Sequence, residues 1–301
     1  MKKHARNYIQ KSGKALFLYS DATGIGTVNR HLKEVVARLS ARFETLDVCQ
    51  TASMEDGIEK AVGACGVYDV LVFSGGDGTF NHLVNALVGK PKTPILGYIN
   101  GGTVCDIGKN FGIHGSFRRA LRIIEEGYTC GFDVGRINDD YFTYVAAIGA
   151  FAEIPYAVER KYKKHLGRIA YYFRAIGDAL VPKKIDCHVI ADGKEYRLKV
   201  PFVLCLSGKN VGGFPVNSRK SSIHDGKFEL YLTKPGIFNG LLHYLFFKAR
   251  TVKIVASEFE IDLQYPLPWD LDGEKGPSGK VKIKALDSGL KIFCAPKFVE
   301  K

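Results

Sequence analysis

Two glycine-bearing segments hold the residues whose types and spacing suggest phosphate chemistry. The first, Gly75-Gly76-Asp77-Gly78-Thr79, directly follows an apolar run that ends at Phe73. Glycines let backbone N–H groups approach an anion closely, and the N-terminus of a following helix adds a favourable dipole. Apolar residues recur at helical spacing from Phe80 onward, and Thr79 is predicted to cap that helix. The pattern predicts a phosphate-binding strand, turn and helix, in which Asp77 orients a metal-bound water or a catalytic network.

The second segment, Gly101-Gly102-Thr103-Val104-Cys105-Asp106, follows another apolar run at residues 95–100. Taken alone, it fits a structural turn and a ligand contact equally well. The carboxyl ends of neighbouring parallel strands meet at one edge of an α/β sheet, where ligands bind in a crevice. The two segments together therefore predict one nucleotide site.

A third candidate, Asp272-Gly273-Glu274, lies late in the chain. Asp-Gly is a strong hairpin signal, so this triplet on its own predicts an exposed turn. Phosphoryl transfer also needs in-line positioning, charge that offsets the phosphate oxygens, and a carboxylate near the nucleophile. With the two glycine segments upstream, we interpret the triplet as a catalytic pair of carboxylates.

The elements that must position these residues follow from the apolar pattern. Strands are predicted at 15–20, 45–49, 69–73 and 95–100, and helices near 28–40, 55–65 and 107–111. This alternation predicts parallel βαβ units. After Asp133 the pattern changes to strands and hairpin turns, including Asp192-Gly193, with strands at 202–207, 228–232, 253–263 and 281–285. Helical patterns at 154–164 and 168–180 interrupt it.

The predicted architecture is therefore an α/β domain with an open, mainly parallel sheet over residues 1–130. A mainly antiparallel β-sandwich domain follows over residues 131–289, and residues 290–301 are candidates to pack back onto the first domain. A chain of 301 residues is long enough to bury two cores of ordinary size.

The chain carries 43 Lys and Arg against 31 Asp and Glu, a formal net charge of +12, which favours an anionic partner. Seven scattered cysteines without a Cys-x-x-Cys pair indicate neither a zinc site nor a disulfide framework, and favour a reducing cytoplasm. Neither a signal peptide nor a membrane span is predicted. Residues 238–247, which are aromatic and apolar and precede Lys248 and Arg250, fit either an interfacial helix or a helix packed on the second domain. Any membrane contact is expected to be peripheral.

Together these motifs resemble the diacylglycerol kinase catalytic family, which includes bacterial soluble lipid kinases and the sphingosine and ceramide kinases. The resemblance covers nearly the whole chain. It rests on six ordered segments: Gly75-Gly76-Asp77-Gly78-Thr79, Gly102-Thr103 with Asp106, Phe132-Asp133-Val134-Gly135, Leu166-Gly167-Arg168, Asp225-Gly226-Lys227 and Asp272-Gly273-Glu274. It implies a fold like that of the NAD and diacylglycerol kinases, with the second domain taking the lipid. It also implies an ATP- and Mg²⁺-dependent kinase that phosphorylates a lipid hydroxyl at a membrane surface, most simply diacylglycerol to phosphatidic acid.

The resemblance further implies roles for individual residues. ATP contacts are implied for Thr23, Gly24, Thr51, Gly75, Gly76, Asp77, Gly78, Thr79, Phe80, Asn81, Gly102, Thr103 and Asp106. Glu274 is implied to take the proton from the lipid hydroxyl with support from Asp272, while Asp77 helps to hold Mg²⁺ or its water. A structural Mg²⁺ site is implied at Asp225, Ser222 and Lys227, where Ser222 replaces one of the family's two carboxylates. Ser20-Asp21-Ala22-Thr23-Gly24 and Cys105 also depart from the family pattern.

Other functions fit parts of the sequence. An NAD kinase shares the first glycine segment and the two-domain plan, but the second segment and the late Asp272-Gly273-Glu274 are not associated with NAD phosphorylation. A non-catalytic lipid or nucleotide sensor would explain the altered early loop, whereas the retained Asp77 and Glu274 favour catalysis. A nucleic-acid binder would explain the charge, but no basic motif interleaved with aromatic residues supports it. An open sheet edge makes a homodimer a further expectation.

Overall fold

The structure is a computed structural model that describes residues 13–20, 27–101, 105–149, 185–207, 210–211, 214–215, 223–233, 251–264 and 267–299. The chain divides into two compact units. The first comprises Met1–Phe132 with Ser288–Lys301, and the second comprises Asp133–Asp287.

The first unit is an α/β unit. Its described strands are β1 (Lys14–Tyr19), β2 (Thr45–Gln50), β3 (Val70–Gly75) and β4 (Ile95–Asn100). Its described helices are α1 (Thr27–Arg30), α2 (Leu32–Arg42), α3 (Met54–Gly63), α4 (Asp77–Leu87), α5 (Asp106–Asn110) and α6 (Phe117–Glu126), with a 3₁₀ turn at Pro296–Phe298. The four strands are parallel in the order β2-β1-β3-β4. Since the two glycine segments follow β3 and β4, they leave the sheet at the same edge.

Aromatic packing fixes the helix that follows the first glycine segment. Phe80 on α4 is fully buried. Its ring centroid lies 5.2 Å from that of Tyr98, 6.0 Å from that of Phe111 and 6.1 Å from that of Phe132. Such pairs add stabilisation to the burial of the rings, so the position of α4 is set by the core behind it.

The second unit is built from antiparallel strands. The strands after α6 are β5 (Thr129–Ile137), β6 (Asp140–Phe142), β7 (Val145–Gly149), β8 (Ile185–Ala191), β9 (Lys194–Val200), β10 (Phe202–Leu206), β11 (Asn210–Val211), β12 (Phe214–Pro215), β13 (Phe228–Thr233), β14 (Thr251–Ala256), β15 (Glu258–Leu263), β16 (Pro268–Leu271), β17 (Glu274–Ser278) and β18 (Val281–Phe293). One sheet has the order β14-β13-β10-β7-β16-β17, and within this unit β18-β15-β8-β9 form another. Trp269, Phe228 and Phe259 belong to one buried cluster with members from both sheets, which makes this unit a sandwich.

The predicted fold class is confirmed, with local differences. Helix α6 was not predicted, although its buried residues Phe117, Ala120, Leu121 and Ile124 recur at helical spacing. The single strand predicted at 253–263 is two strands, because the Asp192 carboxylate accepts the Ser257 and Glu258 amides at a turn between them. The predicted strand at 281–285 continues to Phe293.

Within the described ranges, no helix is long and apolar enough to cross a membrane. The helices predicted at 154–164 and 168–180 lie outside the described residues, as does the candidate interfacial segment at 238–247.

Candidate functional site

The first glycine segment forms the start of α4. Gly76 is the residue before the helix, and its carbonyl already accepts the Phe80 amide at 3.1 Å. Thr79 therefore lies inside the first helical turn, and the prediction that Thr79 caps the helix was wrong. A methyl group added at Gly75 would collide with the Thr79 side chain, so the tight turn requires glycine there.

The Asp77 carboxylate connects the first glycine segment to the helix after the second. Its Oδ2 accepts the Asp106 amide at 3.1 Å, and its Oδ1 accepts the Ile107 amide at 3.2 Å. These amides are among the unpaired donors at the start of α5. Burial raises the pKa of Asp77, and the two amides act in the opposite direction. Asp77 thus acts as a cap for a helix 29 residues further along the chain.

The second glycine segment is attached to the first at both of its ends. The Gly101 amide donates to the Gly75 carbonyl at 2.8 Å, and the other end is held through Asp77. Cys105 precedes α5 in the left-handed conformation, with φ 55° and ψ 48°, and burial raises its thiol pKa to about 12. Gly102 and Thr103 lie outside the described residues.

Asp106 is the second carboxylate of this cluster. It is 1% exposed, and its Oδ1 lies 2.8 Å from Lys109 Nζ. Sequence reasoning proposed Asp106 as a nucleotide ligand but gave no role to Lys109. The available signal was their spacing, because two oppositely charged residues three positions apart on a helix are neighbours on its surface.

Two features of α4 leave room for a ligand. A methyl group added at Gly78 would meet no atom within 4 Å, so open space lies over this glycine. Asn81 is 3% exposed, and its buried Oδ1 has no hydrogen-bond partner. An unpaired buried amide oxygen is unfavourable unless a ligand or water meets it.

Thr51 lies where β2 ends, as the nucleotide prediction requires. Its amide donates to the Tyr19 carbonyl at 2.8 Å, and its hydroxyl Oγ1 donates to the same carbonyl at 3.2 Å. The hydroxyl oxygen keeps its capacity to accept a hydrogen bond. Thr23 and Gly24 lie outside the described residues.

In the second unit, Asp272-Gly273 forms the two-residue turn between β16 and β17. Both residues have positive φ, 55° for Asp272 and 95° for Gly273, as a type I′ hairpin turn requires. Glu274 is the first residue of β17, and its side chain is exposed. The predicted hairpin is therefore present, with one carboxylate in the turn and one immediately after it.

Asp272 is held by four donors from residues 143–145, which lead into β7. Its Oδ2 accepts the Thr143 amide at 2.5 Å and the Thr143 hydroxyl at 2.7 Å. Its Oδ1 accepts the amides of Tyr144 at 3.1 Å and Val145 at 2.8 Å. Burial raises the pKa of Asp272 to about 6, while these donors act in the opposite direction. The arrangement anchors the turn and leaves Glu274 as its accessible carboxylate.

Asp270 is a carboxylate that sequence reasoning missed. It is 6% exposed, and its Oδ1 accepts the Gly273 amide at 3.0 Å, so it also braces the turn. Its neighbours Trp269 and Leu271 belong to the sandwich core, which places Asp270 on the other face of β16. The available signal in the sequence was a charged residue, Asp270, between the two apolar residues Trp269 and Leu271.

The implied structural Mg²⁺ site is only partly described. Asp225 and Lys227 have exposed side chains, the Asp225 Oδ1 accepts the Lys227 amide at 3.1 Å, and Ser222 lies outside the described residues. The nearby Asp133 Oδ2 accepts the Gly226 amide at 2.7 Å. No group of three or more His, Cys, Asp or Glu able to hold a metal occurs in the part of the chain that the structure describes. The assignment of Asp225, Ser222 and Lys227 to a Mg²⁺ site stays a prediction.

Asp272→Ala is expected to lower the free energy of unfolding by about 3 kcal/mol or more, because it leaves the Thr143, Tyr144 and Val145 amides without their acceptor. Urea denaturation measures the change. Glu274→Ala, in the same turn but exposed, is the matched control and should stay within about 0.5 kcal/mol of the unmodified chain. Equal effects of the two substitutions would contradict the anchoring role of Asp272.

Known proteins resemble this chain in sequence. Residues 14–137 match the family model of the diacylglycerol kinase catalytic domain. The diacylglycerol kinase of Staphylococcus carnosus (strain TM300) is 27% identical over 298 residues, which cover 95% of this chain and 96% of that protein. The diacylglycerol kinase of Bacillus subtilis (strain 168) is 27% identical over 280 residues, which cover 87% of this chain and 90% of that protein.

Solved structures share the fold of the whole chain. The crystal structure of a diacylglycerol kinase from Bacillus anthracis str. Sterne matches with a TM-score of 0.78 at 22% identity, covering 95% of this chain and 98% of that one. The matched residues 14–137 contain both glycine segments, Asp77 and α5. The resemblance that the motifs predicted is confirmed: residues 14–137 match the family model, and relatives that cover most of the chain are named diacylglycerol kinases.

Proposed function

We propose that this chain is an ATP-dependent lipid kinase that transfers the γ-phosphoryl group of ATP to a lipid hydroxyl, with diacylglycerol as the first candidate substrate and phosphatidic acid as the product. The observation that carries the proposal is the match of residues 14–137 to a kinase catalytic domain. The relatives that cover nearly the whole chain support diacylglycerol as the acceptor, since they are named diacylglycerol kinases.

In this proposal the first unit binds ATP. Backbone amides of the glycine segments face the phosphates, with the open space over Gly78 and the Asn81 amide oxygen available to the nucleotide. Mg²⁺ bound with ATP supplies positive charge that offsets the phosphate oxygens. Asp77 would hold this Mg²⁺ or its water, since its two amide bonds occupy two of about four lone-pair sites of a carboxylate.

Glu274 is the proposed general base. It would accept the proton of the lipid hydroxyl as that oxygen attacks the γ-phosphorus, while the bond from the γ-phosphorus to the ADP oxygen breaks. Asp272 would support it by fixing the turn, because all four of its donors come from residues 143–145. An exposed carboxylate is accessible to an incoming hydroxyl, whereas one with four donors is not.

The lipid would be met at a membrane surface. The formal net charge of +12 supports attraction to an anionic leaflet. We also propose that copies of the chain associate as a homodimer. The exposed outer strand β2, with Val48 42% exposed, supports this because unpaired strand edges are templates for pairing.

Transfer of label from γ-labelled ATP in mixed micelles tests the function, with diacylglycerol, other lipid alcohols and NAD as parallel acceptors. We expect label in phosphatidic acid. Glu274→Gln should lower kcat about 10²- to 10⁴-fold without changing ATP affinity. Glu260→Gln is a matched control, since Glu260 is a partly exposed carboxylate of the same unit that pairs with the surface residues Lys280 and Lys282.

The outcomes separate the competing functions. Label in another lipid alcohol would keep the kinase class and replace diacylglycerol as the substrate. Label in NADP would contradict lipid phosphorylation and assign the chain to the NAD kinases. ATP binding without label in any acceptor would favour a sensor.

A pair of glycine substitutions tests the proposed phosphate contact. Gly78→Ala places a methyl group in open space on a helix, so we expect equal or slightly higher thermal stability but at least tenfold weaker ATP binding, because the methyl group occupies the path of the phosphates. Gly75→Ala is expected to lower stability, since its methyl group collides with Thr79. Calorimetry and thermal unfolding measure both. Unchanged ATP affinity in Gly78→Ala would place the phosphates elsewhere.

A further inference from the structure

We propose that Lys109 is a positioning residue for nucleotide binding, which acts by holding the Asp106 side chain at the start of α5. This inference rests on the proposed nucleotide site and deepens it. Lys109 would act through Asp106 and the backbone around it, without touching ATP.

The contact itself is a short, partly buried ion pair. Lys109 Nζ lies 2.8 Å from Asp106 Oδ1, and the side chain of Asp106 is 1% exposed while that of Lys109 is 25% exposed. Charge-assisted hydrogen bonds of this length are stronger than neutral ones, and burial reduces their screening by salt. Removing the cation from a buried pair leaves the carboxylate uncompensated.

The position of the pair connects it to both glycine segments. Asp106 is the first residue of α5, and its own amide is one of the two that donate to Asp77. A shift of the Asp106 side chain therefore moves the Asp106 amide. The contact between the two glycine segments depends on this amide. Without Lys109, the Asp77 and Asp106 carboxylates would also repel each other with less compensation, since the charge of Lys109 lowers the pKa of Asp77 while that of Asp106 raises it.

A second intrahelical pair in the same unit provides a matched control. Lys60 pairs with Asp56 four residues earlier on α3. The Asp56 side chain is 28% exposed. One of its carboxylate oxygens pairs with Lys60 and the other accepts the Ala52 amide, so neither oxygen bonds to a glycine segment. Lys60→Met removes an intrahelical ion pair of the same unit whose carboxylate bonds to neither glycine segment.

Calorimetric titration with a non-hydrolysable ATP analogue and Mg²⁺ tests the inference on the full chain, without a lipid acceptor. We expect Lys109→Met to raise the Kd at least tenfold, Lys109→Arg to stay within threefold, and Lys60→Met to stay within twofold of the unmodified chain. Thermal unfolding of each variant confirms that the protein titrated is folded.

A double substitution separates positioning from direct contact. If Lys109 acts through Asp106, then Lys109→Met should change the Kd less than twofold when Asp106→Asn is already present. An additive loss would mean that Lys109 contacts the nucleotide directly, and would overturn the inference. A Kd for Lys109→Met equal to that of the unmodified chain would also overturn it while leaving the kinase proposal intact. Absence of binding by the unmodified chain would overturn both.

Discussion

Buried carboxylates that accept backbone amides of another segment are the interaction on which this architecture depends. Asp77 accepts two amides at the start of α5, and Asp272 accepts three amides and a hydroxyl from residues 143–145. A carboxylate removed from water is stable only when donors replace its hydration, so each Asp requires its partner segment to stay in place. Asp77 thus fixes the glycine segments within the first unit, and Asp272 fixes the β16–β17 turn within the second unit.

This constraint gives different environments to carboxylates that the Asp-Gly-Glu motif does not distinguish. Asp272 and Glu274 are two residues apart, yet Asp272 is buried with four donors and Glu274 is exposed. Phosphoryl transfer depends mainly on positioning and charge, so residues that hold loops matter as much as those that touch the reacting atoms. Asp77, Asp272 and Asp270 hold loops, whereas Glu274 has an exposed side chain.

Local patterns in the sequence predicted most elements because apolar runs, glycines and Asp-Gly turns act within a few residues. The strands β1 to β4, the hairpin at Asp192-Gly193 and the sandwich followed from such signals. The helix start at Asp77 was misplaced because a threonine is a common cap, whereas here a glycine carbonyl begins the helix. The partners of Asp77 and Asp272 lie 29 and about 130 residues away, and local spacing carries no information about them.

The Asp77 carboxylate joins the two glycine segments through the amides of Asp106 and Ile107. Amide hydrogen exchange of these two residues, resolved by NMR, measures those bonds directly. We expect both amides to be protected in the unmodified chain and to exchange at least tenfold faster in Asp77→Ala, while Asp225→Ala leaves their exchange unchanged. Equal protection in Asp77→Ala and the unmodified chain would contradict this role of Asp77.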